Sequence, residues 1–116
     1  SALEARGAEV ALAPSSSGKV DLAAMVADLG RLEINELHVE AGEKLNASLL
    51  AAGLVDELLV YVAPRLLGSG RGLAALAPLA RLDDAPRFAF VDVARVGDDL
   101  RLLLRPVSAA AAAPVR

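Results

Sequence analysis

The sequence predicts an α/β fold with a mostly parallel sheet that ends in a C-terminal antiparallel hairpin. Between residues 7 and 64, apolar segments typical of strands alternate with helical segments. Such alternation requires right-handed crossovers between parallel strands. Two later apolar segments, 87–96 and 100–106, flank the short turn "GDD" at 97–99, which is typical of an antiparallel hairpin.

The composition indicates one small domain with an apolar core. The 116 residues are 55% hydrophobic and 3% aromatic, with a net charge of -3, so no basic surface for nucleic acid is expected. The absence of cysteine and the single histidine, His38, exclude a disulfide and a multi-histidine zinc site. No leader is seen and no apolar run approaches the ~18 residues of a membrane span, so we expect a cytoplasmic protein.

Three segments of the first half are predicted to be strands. They are "GAEVALAP" at 7–14, "INELHVE" at 34–40 and "VDELLVYVAP" at 55–64. The near-continuous hydrophobicity of the third predicts burial on both faces of the sheet, with Tyr61 in the core.

Two helices are predicted between these strands. In the segment 20–30, Asp21 is placed as N-cap, the apolar residues recur at helical spacing, and Gly30 is expected to end the helix. In the segment 43–53, leucines share one face and Gly53 is the C-terminal stop.

The remaining segments carry weaker signals. The connection 66–86 is predicted to hold no full helix, because Pro78 interrupts it. Its glycine-rich part "GSGRG" at 68–72 could hold a phosphate, but no helix pattern follows and a flexible loop is the preferred interpretation. Arg65 is interpreted as a surface charge, and 108–116 as a low-complexity tail.

The junction "HVEAGEKLN" between the second strand and the second helix is the candidate binding site. Ligands of open α/β sheets gather beyond the carboxyl ends of parallel strands, and Glu40 lies at such an end. The first amides of the following helix lack intrahelical partners, and Gly42 has no side chain to keep a phosphate away from them. Lys44 adds a positive charge, and Asn46 and Ser48 could add donors.

A purely structural interpretation of the same junction stays open. Glu43 places a negative charge in the first turn, where it would repel phosphate and stabilise the helix dipole instead. Gly42 would then only make the turn, and Glu40 would be a solvated residue at the sheet rim. His38 is predicted to lie on the same side as Glu40, as a packed or rim histidine, and not as a catalytic base.

Several motifs in order resemble one enzyme family. "VEAG", "LNASLLAAGLVDEL" and "YVAPRLLGSG" follow one another at the family's spacing. Over residues 7–106 the sequence is similar to the reductase domain of the bifunctional riboflavin-biosynthesis deaminase/reductase. The resemblance implies a dihydrofolate-reductase-like three-layer fold and a cytoplasmic homodimer. It also implies NADPH-dependent reduction of 5-amino-6-(5-phosphoribosylamino)uracil to the ribitylamino product.

The resemblance also implies the roles of the junction residues. Glu40 would contact the substrate. The residues that would lie along NADPH are Gly42, Glu43, Lys44, Leu45, Asn46, Ala47 and Ser48. No catalytic residue and no metal ligand is assigned.

The chain departs from the family pattern in two ways. Ala41 stands where many members have glycine, and "GSG" replaces the more usual "GG". The family's reductase domain is also roughly twice as long, and its first half and the deaminase domain are absent here. We therefore expect residues 1–107 to be the C-terminal part of a reductase domain that needs its N-terminal half as a partner. The alternatives are a related reductase of another pyrimidine or pteridine, and a non-catalytic dimerisation module.

Overall fold

The computed structural model describes residues 2–13 and 18–107. These fall into two compact units, 1–40 and 41–116, and each is described separately. The tail predicted at 108–116 lies outside the described residues.

The first unit contains helix α1, Leu22–Arg31, preceded by a short 3-10 turn at Glu4–Arg6. The predicted cap is confirmed, because the Asp21 carboxylate accepts a hydrogen bond of 2.9 Å from the backbone N–H of Ala24. This bond satisfies one of the amides that a helix start leaves without an intrahelical partner.

The end of α1 differs from the prediction, because Gly30 lies inside the helix. Glu33, with φ of 62°, is the left-handed residue that closes it. The N–H of Glu33 donates to the carbonyl of Gly30 at 3.0 Å, and the N–H of Ile34 donates to that of Leu29 at 3.1 Å. These two bonds form a Schellman motif, which usually has glycine at the left-handed position.

The first two predicted strands do not form. Residues 7–13 and 34–40 have no regular structure, and the whole of 34–40 is exposed. A strand exists only where a neighbouring strand satisfies its backbone hydrogen bonds. The described part of the chain provides no such neighbour for either segment, so the predicted strand-helix alternation is wrong for this unit.

The second unit begins with helix α2, Glu43–Ala51, which ends two residues earlier than predicted. Gly53 has φ of 66° and closes α2 with the same pair of bonds that closes α1, so the predicted glycine stop is confirmed. Leu49 of α2 is 6% exposed and is the one buried side chain among the described residues.

A three-stranded sheet completes the second unit. It consists of β1, Leu58–Val62, β2, Phe88–Val96, and β3, Asp99–Pro106, in the order β1-β3-β2, with a 3-10 turn at Leu82–Asp84 before β2. Both strand pairs are antiparallel, which confirms the hairpin and corrects the prediction of a mostly parallel sheet. The parallel pairs required strands that the first unit does not form.

The hairpin has two local features. Gly97, with φ of 63°, is the first residue of its two-residue turn, as a type II′ turn requires. The register shifts between Phe90 and Asp92, so that Val91 is an extra residue in β2. This β-bulge increases the local twist of β2.

The two faces of the sheet differ in chemistry. On one face the register aligns only apolar residues over most of its area: Leu58, Val60, Val62, Leu100, Leu102, Leu104, Phe88, Phe90 and Val93. We call this the aliphatic face. On the opposite face, Arg101 forms an ion pair of 2.6 Å with Asp92, and Arg105 forms one of 2.7 Å with Glu57.

Neither face is covered as the sequence predicts. Tyr61 is 54% exposed and Phe90 on the aliphatic face is 65% exposed, so the expectation of a buried Tyr61 is wrong. A pocket of about 170 Å³ lies at one end of the sheet, lined by Leu50, Gly53, Val55, Pro86, Arg87, Phe88, Pro106 and Val107. The reason for the exposure is that no second layer spans the sheet within the described part of this unit.

This exposure predicts the solution behaviour of the isolated chain. With one buried side chain among its described residues, the chain lacks the core that a cooperative transition needs. We expect a broad urea transition by far-ultraviolet circular dichroism and strong binding of an apolar dye. A sharp transition without dye binding would contradict this expectation.

The two helix ends predict opposite effects of the same substitution. A Cβ at Gly30 or Gly53 would meet no atom within 4 Å, so only backbone conformation matters. Gly30→Ala should favour α1 by about 1 kcal/mol, because alanine has the higher helix propensity. Gly53→Ala should disfavour the end of α2 by about 1 kcal/mol, because Gly53 is left-handed. Helix content of the chain by circular dichroism should rise for the first variant and fall for the second.

Candidate functional site

Glu40 lies at the end of the first unit as an exposed carboxylate. Its side chain is 86% exposed, and its Oε1 lies 3.3 Å from Nε2 of His38, whose side chain is 65% exposed. The two side chains therefore lie on one side of the extended segment, as the alternation predicted. Both residues are accessible to a ligand from solvent.

The start of α2 is open. Gly42 is its N-cap, with φ of -78° and ψ of 165°, and no side chain caps the helix. A Cβ at position 42 would meet no atom within 4 Å. The first amides of α2 therefore remain approachable by an anion, as the sequence predicted. Lys44 is exposed in this turn.

Asn46 uses its amide group within the chain. Its Nδ2 donates to the carbonyl of Leu73 at 2.9 Å and to the carbonyl of Ala41 at 3.3 Å. Both hydrogens of the amide are thus engaged, so Asn46 has no Nδ2–H left to donate to a ligand. This differs from the role that the sequence suggested for it.

A backbone hydrogen bond reinforces this contact. The N–H of Ala75 donates to the carbonyl of Glu43 at 2.9 Å. Together with the bond from Asn46 to Leu73, it attaches residues 73–75 to the first turn of α2. We call these two bonds the Asn46 clamp.

Ser48 also differs from the sequence expectation. Its hydroxyl donates to the carbonyl of Lys44 at 3.0 Å, one turn earlier in the helix. Because this bond is internal to α2, the hydroxyl hydrogen is not directed to a ligand.

The described residues provide neither a cluster of metal ligands nor a membrane-spanning helix. They contain no group of three or more acidic, histidine or cysteine residues that could hold a metal ion. No helix in them is long and apolar enough to cross a bilayer.

Comparison with known proteins identifies the family. The RibD C-terminal domain matches residues 2–102, which is most of the chain. The chain belongs to the RibD C-terminal domain family. The resemblance stated from its motifs is therefore confirmed.

Two relatives show how much of the RibD protein is present. The chain is 50% identical to Escherichia coli K12 "Riboflavin biosynthesis protein RibD" over 94 residues, which cover 80% of the chain and 26% of that protein. It is 34% identical to "5-amino-6-(5-phosphoribosylamino)uracil reductase" of Buchnera aphidicola subsp. Acyrthosiphon pisum, covering 76% of the chain and 43% of that protein. The chain thus spans about a quarter of the length of the Escherichia coli relative.

A solved structure agrees with the fold of the chain. Acinetobacter baumannii RibD, form 1, superposes with a TM-score of 0.71 at 32% identity, over 78% of this chain and 26% of that one. The chain therefore shares an α/β fold with a RibD protein.

The attachment of residues 73–75 to the first turn of α2 was not predicted from the sequence. A signal for it does exist, because asparagine is unfavourable inside a helix unless its side chain finds a partner. Asn46 lies within α2, so a contact from its amide to another segment could have been expected. The partner of this contact, Leu73, lies 27 residues away in the sequence and could not have been expected.

The Asn46 clamp predicts the protease sensitivity of the loop before it. Asn46→Ala removes the side-chain hydrogen bonds to Leu73 and Ala41 while favouring helix formation. It leaves the backbone bond between Ala75 and Glu43, so it should loosen the loop without weakening α2. We expect limited trypsin digestion to cut after Arg71 several-fold faster in this variant. Ser48→Ala, which loses one bond within α2, is the matched control and should cut at the original rate. Equal rates for all three chains would contradict a restraining clamp.

Proposed function

We propose that the chain is the C-terminal part of a reductase domain that reduces 5-amino-6-(5-phosphoribosylamino)uracil with NADPH, in riboflavin biosynthesis. The observation that carries this proposal is membership of the RibD C-terminal domain family over residues 2–102. The Buchnera relative is named for the reduction of this compound, which supports the choice of substrate.

A dihydrofolate-reductase-like three-layer fold forms part of the proposal. The aliphatic face of the sheet supports it, because such a face requires a covering layer. The rest of the RibD relative, about three quarters of its length, is available to supply that layer. The N-terminal half of the reductase domain and a second subunit are the proposed partners.

The start of α2 fits the phosphates of a dinucleotide. Gly42 leaves the first amides approachable, and Lys44 adds an exposed positive charge. When bound, the cofactor supplies the hydride. The residues from Gly42 to Ser48 are proposed to bind it chiefly through their backbone, since the side-chain donors of Asn46 and Ser48 are engaged within the chain.

Glu40 is proposed to bind the substrate. Its carboxylate is exposed and can accept hydrogen bonds from the hydroxyl groups of the ribosyl chain. Holding that chain in one orientation relative to the cofactor is the contribution that the protein makes to hydride transfer.

The proposal is tested with a chimera in which this chain replaces the matching C-terminal segment of Escherichia coli RibD. We expect the chimera to bind NADPH by fluorescence titration and to reduce the substrate. Glu40→Gln should lower kcat/KM for the substrate by roughly tenfold or more, since a bond to a charged acceptor is replaced by a neutral one. The Kd for NADPH should be unchanged.

The control substitution is Glu36→Gln, because Glu36 is also an exposed glutamate of the same extended segment. It should leave both quantities unchanged. A folded chimera that does not bind NADPH would count against the proposed cofactor. An effect of Glu40→Gln no larger than that of Glu36→Gln would count against the role of Glu40.

A further inference from the structure

Two arginines without a charged partner precede residue 73, and one of them, Arg71, lies in the glycine-rich loop 68–72. Arg65 and Arg71 are both exposed, and among the described residues neither side chain forms an ion pair or a hydrogen bond. Four of the other arginines are paired with carboxylates, namely Arg31, Arg81, Arg101 and Arg105. Because Arg87 and Arg95 are also unpaired among the described residues, the lack of an ion pair does not by itself single out Arg71. Arg65 and Arg71 differ in how far along the chain each lies from Leu73.

The Asn46 clamp restricts where Arg71 can lie. Arg71 precedes Leu73 by two residues, and the carbonyl of Leu73 is fixed 2.9 Å from Nδ2 of Asn46. Two residues of extended chain span at most about 7 Å. The backbone of Arg71 is therefore held close to the first turns of α2, within reach of a flexible arginine side chain. Arg65 lies eight residues before Leu73 and is not restricted in this way.

The charges around this turn favour an anion with several phosphate oxygens. Lys44 is exposed in α2 and, like Arg71, forms no ion pair within the described part of the chain. An arginine guanidinium offers a planar fork of donors that matches two oxygens of a phosphate. Glu43 is the acidic residue in the first turn of α2, so a second cation there also offsets its repulsion of a bound phosphate.

We propose that Arg71 binds a phosphate group of the dinucleotide cofactor and that Asn46 is the positioning residue that holds it there. This inference rests on the proposed function, which places the cofactor at the start of α2. It adds the glycine-rich loop 68–72 to the cofactor site, whereas the sequence favoured a flexible loop without a binding role. A phosphate contact from this loop requires that the loop be attached to α2, and the clamp provides the attachment.

The experiment compares Arg71→Gln with Arg65→Gln in the chimera with Escherichia coli RibD. Fluorescence titrations with NADPH and NADH give the Kd values, each at low and at high salt. Arg71→Gln should raise the Kd for NADPH by roughly tenfold or more and make it less dependent on salt. Arg65→Gln, which removes an equally exposed charge, should change the Kd less than twofold.

The two cofactors show which phosphate is bound. A larger loss for NADPH than for NADH would indicate the 2′-phosphate that NADH lacks, and equal losses would indicate the pyrophosphate. Either result supports the proposal. If Arg71→Gln behaves like Arg65→Gln while the unsubstituted chimera binds NADPH, this inference is overturned and the proposed function stands. If the folded chimera does not bind NADPH, the proposed function fails first.

A double substitution tests the positioning role of Asn46. If Asn46 acts through Arg71, Asn46→Ala should weaken NADPH binding in the original chimera and add less than twofold in the Arg71→Gln variant. Additive losses would show that Asn46 acts in some other way and would overturn its assignment. A purely structural role in α2 would not produce this dependence on Arg71.

Discussion

The second unit depends on β3, which pairs with β1 on one side and with β2 on the other. The same pairing aligns apolar residues from all three strands into the aliphatic face. Among the described residues Leu49 of α2 is the one buried side chain, and no residue of the aliphatic face is buried. The described chain therefore has the helices and strands of an α/β protein with little buried core, and it matches about a quarter of the length of a RibD protein.

The candidate site follows from what the first turn of α2 leaves open and what it engages. Gly42 leaves the backbone amides accessible, whereas Asn46 and Ser48 use their donors inside the chain. The side chains of Asn46 and Ser48 thus stabilise the structure of the chain. The backbone amides and the exposed Lys44 are the groups that could contact an anion. The residues that follow the glycine-rich loop are attached to α2 by the side chain of Asn46 and by a backbone bond.

The elements that were predicted correctly from the sequence are those that depend on a few neighbouring residues. The Asp21 cap, the Gly53 stop and the hairpin around Gly97 are three such elements, and all three are present. The predicted strand at 34–40 depends on a distant partner that the described chain does not contain. The end of α1 was misplaced because a non-glycine residue, Glu33, adopts the left-handed conformation. Likewise, Glu40 and Gly42 were proposed from a local pattern, and their exposure agrees with it, whereas the contact of Asn46 with Leu73 is long-range.

The bulge at Val91 makes the two outer strands of the sheet differ in regularity. It lies in β2, one outer strand of the three, and an extra residue there disturbs the ladder that any additional strand would have to match. The other outer strand, β1, is paired with β3 over its whole length without a register shift. The free side of β1 is therefore the more regular of the two outer edges of this sheet. The two outer strands are thus not equivalent, because a strand added beside β1 would meet a regular edge and one added beside β2 would meet the extra residue at Val91.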